Sequence, residues 1–170
     1  MELVELDRLT ERDWAELTAG EHEPFGPLGA GLTWLEKDRH LALRGPDGLL
    51  VAVAGVAIVT VEVQDAESFE VVGLGSLMVS RSARGRGLMS RLVQPVLALA
   101  QSMGPDRAML FCRPELVALY RRLAFVEIAA PVWADQPQGR VQMPMPAMWR
   151  ALREGAGWPA GGVDVRGLPF

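Results

Sequence analysis

The chain has 170 residues, of which 49% are hydrophobic and 22% charged, and a formal net charge of −4. That length suits one domain with a substantial core, and the composition excludes both a disordered chain and a membrane protein. The acidic balance argues against a nucleic-acid partner and mildly suits a cationic one, while a single cysteine excludes an internal disulfide framework.

The acidic opening MELVELDRLTERD carries no signal-peptide pattern, so the cytoplasm is the expected compartment. Glu2 to Leu9 alternates well enough for a first strand, with a short helix as the alternative. Thr10 reads as the N-cap of a helix that carries Trp14 and Leu17 on one face and ends at Gly20. Glu21 to Gly31, EHEPFGPLGAG, is kept irregular by its prolines and glycines, and a short helix is expected around Leu32 to Asp38. His40 to Arg44, the turn Gly45-Pro46-Asp47-Gly48 and Leu49 to Val63 form a hairpin. Its apolar run from Leu49 to Val59 is too short to span a bilayer and apolar on both faces, so helices should cover both sides of the sheet's middle. From Thr60 onward polar residues alternate, and that end should stand in water.

Phe69 to Val79 is the central strand, with Gly73 and Gly75 at positions where another group comes close. A basic, glycine-punctuated turn follows from Ser80 to Gly87, then a helix from Leu88 to Met103 whose broad apolar stripe presses it onto the sheet and which Pro95 should kink. Arg107 to Cys112 is the next strand, with Cys112 a small buried hydrophobe, and Glu115 to Leu123 is a short helix. Strands over Phe125 to Trp133 and Arg140 to Met145 come next. A brief helix, Trp149 to Glu154, and a glycine- and proline-rich tail end the chain.

Strand, turn and helix start together make an anion cradle. A helix N-terminus leaves N–H groups without partners and carries partial positive charge, Gly85 and Gly87 allow close main-chain approach, and Arg84 and Arg86 suit phosphate oxygens. No Gly-Lys-Ser/Thr follows, and Lys37 is the only lysine, so this is not a Walker loop. Ser90 stands where a dinucleotide fingerprint needs its third glycine.

Arg84, Gly87 and, with a larger side chain than usual, Met89 instead match the pattern Gln/Arg-x-x-Gly-x-Gly/Ala. That pattern resembles the acetyl-CoA signature of the GNAT superfamily of N-acetyltransferases. Leu119-Tyr120-Arg121-Arg122-Leu123-Ala124-Phe125 resembles the family's later motif Leu-Tyr-x-x-x-Gly-Phe, with alanine for glycine at 124. The resemblance implies an α+β fold, a mixed, mostly antiparallel central sheet of about six to seven strands with helices on both faces. It assigns residues 1–146 to the acetyltransferase domain and leaves 147–170 to pack on that domain or on a partner subunit of a homodimer. It implies acetyl-CoA as co-substrate, held along Leu77, Met78, Val79, Arg84, Gly85, Arg86, Gly87, Leu88, Met89 and Ser90, with Arg113 where many relatives have asparagine. A splay between the central strand and the next would admit the pantetheine arm. No metal is expected, since two histidines and one cysteine are not arranged to ligate one.

The same resemblance casts Tyr120, the only tyrosine, as the acid that protonates the leaving thiolate. It makes Glu21, Glu23, Phe25 and Trp34 walls of the acceptor pocket, with Gly75 and Phe170 beside them. The order of motifs and the tail look most like the aminoglycoside 2′-N-acetyltransferases, in which a strand carboxylate stands where this chain has Gly75. The general base therefore has no owner among Glu21, His22, Glu23, Glu70, Asp164 and the terminal carboxylate of Phe170. The reading is direct acetyl transfer to a primary amine of a small cationic molecule. The alternatives are a non-catalytic acetyl-CoA-binding or regulatory domain, which the missing carboxylate would explain, and a peptide or protein acetyltransferase.

Overall fold

A computed structural model describes residues 1–170. Strand β1 (Glu2–Leu6) leads into helix α1 (Glu11–Thr18), and a long irregular connection then reaches β2 (Arg39–Arg44), β3 (Leu50–Val63) and β4 (Phe69–Val79). Helix α2 (Leu88–Ser102), β5 (Arg107–Phe111), α3 (Val117–Arg122), β6 (Val126–Glu127), β7 (Val132–Gln136), β8 (Gly139–Gln142), β9 (Ala147–Ala151) and β10 (Val163–Arg166) complete the chain. Thr10 caps α1 as its sequence predicts: its hydroxyl accepts the Asp13 amide while the Asp13 carboxylate accepts the Thr10 amide, which satisfies two donors at the helix start.

All ten strands join one sheet in the order β6-β9-β5-β4-β3-β10-β7-β8, with β1 and β2 attached along β3. Only β4 with β5 and β10 with β7 run parallel. The length of β3 makes this possible, because one of its edges serves two partners. Residues from Leu50 to Val56 pair with β2, and residues from Thr60 to Val63 pair with β10.

Alternate residues of β3 point to opposite faces and so build two layers. Ala52, Ala54 and Val56 pack under Leu92 and Val96 of α2 in the largest core cluster. Val53 faces the other way, and a register shift between Leu50 and Ala52 turns Leu50 to the same side, onto Leu17 of α1 with Ala42 and Met78. Further along that second face, Val59, Val61 and Val71 meet Val163, Val165 and Phe170, so the end of the chain closes its own core. Helices therefore cover both faces of the sheet's middle, as the two-sided apolar pattern of β3 requires.

Several local expectations give way to pairing. The helix expected over Trp149 to Glu154 is strand β9, whose backbone ladders with β5 and β6 while Ala147 and Met148 enter the core. The tail contributes β10, and with β9 and the division of the expected Phe125 to Trp133 strand into β6 and β7 this brings the sheet to ten strands rather than six or seven. The run Leu32 to Asp38 is not a helix, because its backbone is committed elsewhere: both Thr33 main-chain groups bond the Gln136 side chain, Leu35 N–H reaches the Pro169 carbonyl, and Asp38 N–H the Val56 carbonyl. The strand expected from Phe125 to Trp133 is broken into β6 and the start of β7, and β8 stops at Gln142. Helix α2 runs through Pro95 as one element, and no helix is long and apolar enough to cross a membrane.

Helix α3 ends at a left-handed residue, Ala124, at φ +62°. An L-residue there costs about 1–2 kcal/mol, against which glycine's extra chain freedom returns about 0.5–1 kcal/mol. Ala124→Gly should therefore stabilise the protein by about 0.5–1 kcal/mol, read as a higher urea midpoint with an unchanged denaturant slope.

Candidate active site

The site begins where β4 loses a neighbour. The parallel ladder to β5 covers only Val72 to Leu74, opposite Ala108 to Leu110, and beyond it Cys112 N–H turns away to the Pro146 carbonyl. From Gly75 to Val79 the strand therefore has no partner on its β5 side. On its β3 side the register slips: Gly75 pairs with Gly55 and Met78 with Val53, so Ser76 and Leu77 together oppose Ala54. Ser76 takes up this bulge at φ +53°. A bulge of this kind re-aims the backbone beside it.

The turn that follows keeps its amides open. Gly85 and Gly87 are both left-handed, at φ +76° and +70°, and nothing lies within 4 Å of the place a Cβ would occupy on either. Gly87 caps α2 with no side-chain hydrogen bond, so the amides of Leu88, Met89 and Ser90 present an uncapped helix start. Leu88 is buried and anchors that start to the core, while Arg86 and Ser90 are exposed. Arg84 is otherwise engaged. Its Nε donates to the Val79 carbonyl at 3.1 Å and its Nη2 pairs with Glu21 at 2.5 Å, so the residue splints the turn to the loop after α1. Glu21 is thus the partner of Arg84 and does not line the cavity described next.

That cavity, about 870 Å³, opens along the unpaired stretch of β4. Gly75, Ser76 and Leu77 of β4 line it together with Phe111, Cys112, Arg113 and Tyr120, with Glu23, Phe25 and Trp34 from the loop after α1, and with Phe170. Trp34 sits edge-on to Phe111, and Phe25, 44% exposed, sits edge-on to Trp14. Tyr120 is only 4% exposed, and burial, reinforced by Cys112 and opposed by Arg113, pushes its phenol well above the ordinary value. It stays protonated at any working pH. Burial also pushes the Cys112 thiol up to about 11, which leaves it a neutral packing group. Among the other base candidates, His22 and Glu23 line the cavity, Glu70 lies opposite Thr60 towards the other end of β4, and Asp164 is bridged to Arg140.

The glycines of β4 serve the chain's own residues. A Cβ on Gly73 would come within 2.4 Å of the Phe170 ring, and one on Gly75 would meet Lys37 Cε at 2.5 Å and the main-chain carbon of Phe170 at 2.8 Å. Lys37 and His40, which no motif marks, both line the cavity. Their only sequence signal is the uniqueness of Lys37; its arrival beside β4 depends on the strapping of Leu32 to Asp38, while His40 is set opposite Gly55 by the pairing of β2 with β3. His40 is 6% exposed, and its Nδ1 is buried without a hydrogen-bond partner.

A strand edge left open beside an uncapped helix start has the chemistry to suit an extended ligand with an anionic end. Residues 6–125 match the model of the Acetyltransferase (GNAT) family, and the chain belongs to that family. Glucosamine 6-phosphate N-acetyltransferase 1 of Oryza sativa subsp. japonica is 33% identical over 89 residues, 52% of this chain and 54% of that protein. A probable glucosamine 6-phosphate N-acetyltransferase 2 of the same plant is 41% identical over 51 residues, 30% of this chain and 31% of that one. The chain thus spans about half the length of the first of these relatives and less of the second. Among solved structures, a GNAT family N-acetyltransferase (YhbS) from Escherichia coli in complex with CoA superposes at a TM-score of 0.60, with 19% identity over 96% of this chain and 89% of that one. A phosphinothricin acetyltransferase from Sinorhizobium meliloti in complex with AcCoA gives 0.59, with 16% identity over 94% of each chain. At these identities the likeness is one of fold.

Burial, and next the charge of Lys37, hold the folded pKa of His40 below its ordinary value. A lowered histidine pKa means that the unfolded chain binds the proton more readily, so stability is lost as pH falls through about 6.5, the free value, towards the folded one. His40→Gln should flatten that loss between about pH 7.5 and 5.5, measured as Tm against pH.

Proposed function

We propose that the protein is an acetyl-CoA-dependent N-acetyltransferase that transfers acetyl directly to a primary amine of a small molecule. The observation that carries this reading is the conjunction at β4. An unpaired strand edge runs into an uncapped, glycine-gated helix start, and a buried tyrosine lines the cavity beside it.

The residues fit the co-substrate. Gly85 and Gly87 leave space over the turn, so the amides of Leu88, Met89 and Ser90 suit a pyrophosphate, with Arg86 free to add a guanidinium. The edge of Leu77 to Val79 that β5 leaves unpaired, apart from the Val79 carbonyl that Arg84 takes, suits the amide groups of a pantetheine arm, and amides near the bulge suit the carbonyl oxygen that gains charge during transfer. Arg113, half-buried on the cavity wall, and Met89 flank this path. Tyr120 then donates a hydrogen bond to the sulfur. Its raised pKa makes it a weaker acid than a thiol, whose ordinary value is about 8.5, so its proton moves only as charge develops on the leaving group.

The acceptor is an amine. Asp7, Glu23, Glu36 and Asp38 line the cavity alongside Arg8, Lys37 and Arg113, and a wall of mixed charge favours an amino sugar or similar polar amine over a polycation. That reading agrees with the names of the plant relatives. It retains the aminoglycoside 2′-N-acetyltransferase likeness only at the level of an amino-sugar acceptor. Glu23, Phe25, Trp34 and Phe170 shape the acceptor end.

Thiol release from acetyl-CoA, assayed with glucosamine 6-phosphate, an aminoglycoside and a lysine peptide, should depend on the amine. Tyr120→Phe should lower kcat by about 10²-fold and leave the KM for acetyl-CoA close to wild type. A loss confined to that KM would remove Tyr120 from the chemistry. Saturable CoA binding with no turnover on any amine would overturn the enzyme reading in favour of a binding domain.

A further inference from the structure

Direct attack needs a neutral nitrogen, yet an alkylamine with a pKa of about 10 is almost wholly protonated near neutrality. Of the five carboxylates that the sequence puts forward, only Glu23 and that of Phe170 belong to residues lining the cavity. Glu21 holds Arg84, Asp164 holds Arg140, and Glu70 lies far along β4. Asp38, on the cavity wall, accepts the Ile58 amide.

Lys37 is placed differently. Its segment is fixed at both ends, by Gln136 and Pro169 before it and by Val56 after it, so its direction is set by backbone bonds. Gly55 and Gly75 are register partners across β3 and β4, next to the bulge at Ser76. Together they clear a lane for one side chain. A Cβ on Gly55 would meet Lys37 Cγ at 2.5 Å, and one on Gly75 would meet Lys37 Cε at 2.5 Å and Nζ at 3.1 Å. The stem of Lys37 thus lies across both glycines, and its amine ends where the β4 edge opens. There Nζ donates to the Leu35 carbonyl at 2.6 Å, and it takes part in none of the chain's ion pairs.

We propose that Lys37 is the proton acceptor for the incoming amine, an assignment that rests on the acetyltransferase reading. Neutral Lys37 takes one proton from the acceptor's ammonium group. The freed lone pair forms the nitrogen–carbon bond to the thioester carbonyl as the carbon–sulfur bond breaks. The nitrogen's second proton balances the one the sulfur gains through Tyr120, and Lys37 releases its own to water. The electrostatics agree with this role: burial on the glycine lane lowers the Lys37 pKa to about 8, with Asp38 opposing. The other titratable and charged groups lining the cavity are buried His40 on β2, Glu36 and Asp38 on its own segment, Asp7 and Arg8 from the connection after β1, His22 and Glu23 from the loop after α1, and Cys112, Arg113 and Tyr120 from β5's far end and α3. The Phe170 main chain lies beside Gly75, and a carboxylate there would add to the upward pull.

Because Lys37 is the only lysine, labelling lysine with 13C at Cε yields one signal whose titration reads this amine alone. A midpoint near 8 is expected, together with an acid limb of kcat/KM at the same pH; a midpoint at the ordinary value of about 10.4 would overturn the assignment whatever the activity. Lys37→Arg keeps the charge but cannot give up its proton, so kcat should fall by about 10²-fold or more and the acid limb should vanish, with CoA affinity unchanged as the check on folding. If the Arg variant keeps kcat while Lys37→Met loses only acceptor affinity, the residue anchors an anion and the proposal fails. Wild-type protein that binds CoA but acetylates no amine overturns the acetyltransferase reading and the base with it. An active wild type with an active Arg variant overturns the base alone.

Discussion

A β-strand that loses its neighbour halfway must find other partners for its main-chain groups, and this is the constraint on which the site depends. β4 is paired on both sides as far as Leu74 and on one side only from Gly75. The divergence of β5, drawn off by the Cys112–Pro146 hydrogen bond, and the bulge at Ser76 occur within a few residues of each other. The cavity lies along that opening, and the turn into α2 continues it.

The opening holds its shape because neighbouring segments are cross-tied rather than packed by apolar bulk alone. Arg84 links the β4 end to Glu21, Gln136 clasps both backbone groups of Thr33, and Pro169 receives Leu35. The end of the chain belongs to this arrangement. β10 fills the edge of β3 that β2 leaves free, and Phe170 lies flat on Gly73. Residues 147–170 are therefore part of the same sheet as the rest of the chain.

Two departures from the family pattern acquire a physical meaning. Ala124 occupies a left-handed position that explains why glycine is the usual residue there. Gly75, at the position where the aminoglycoside 2′-N-acetyltransferases carry a carboxylate, leaves room for Lys37 to lie across the strand. The absence of a side chain at one position and the presence of an amine from another segment are one packing event. A cavity wall of mixed charge follows from it, with Asp7, Glu23, Glu36 and Asp38 alongside Arg8, Lys37 and Arg113.

The N-cap at Thr10, the β2–β3 hairpin, the bounds of β4, the start of α2 and the tyrosine helix were legible in the sequence because each rests on local chemistry: a cap, a turn, a period or a short motif. The α+β class and the open turn at Gly85 and Gly87 were legible for the same reason. Long-range hydrogen bonds decided the rest. Trp149 to Ala151 are strand because β5 supplies their ladder, Leu32 to Asp38 is irregular because Gln136, Pro169 and Val56 take its backbone groups, and Glu21 is a strut because Arg84 reaches it. Lys37 and His40 carry no local pattern at all, since only the register that sets Gly55 against Gly75 makes a place for them, and register between distant strands is a property of the folded sheet.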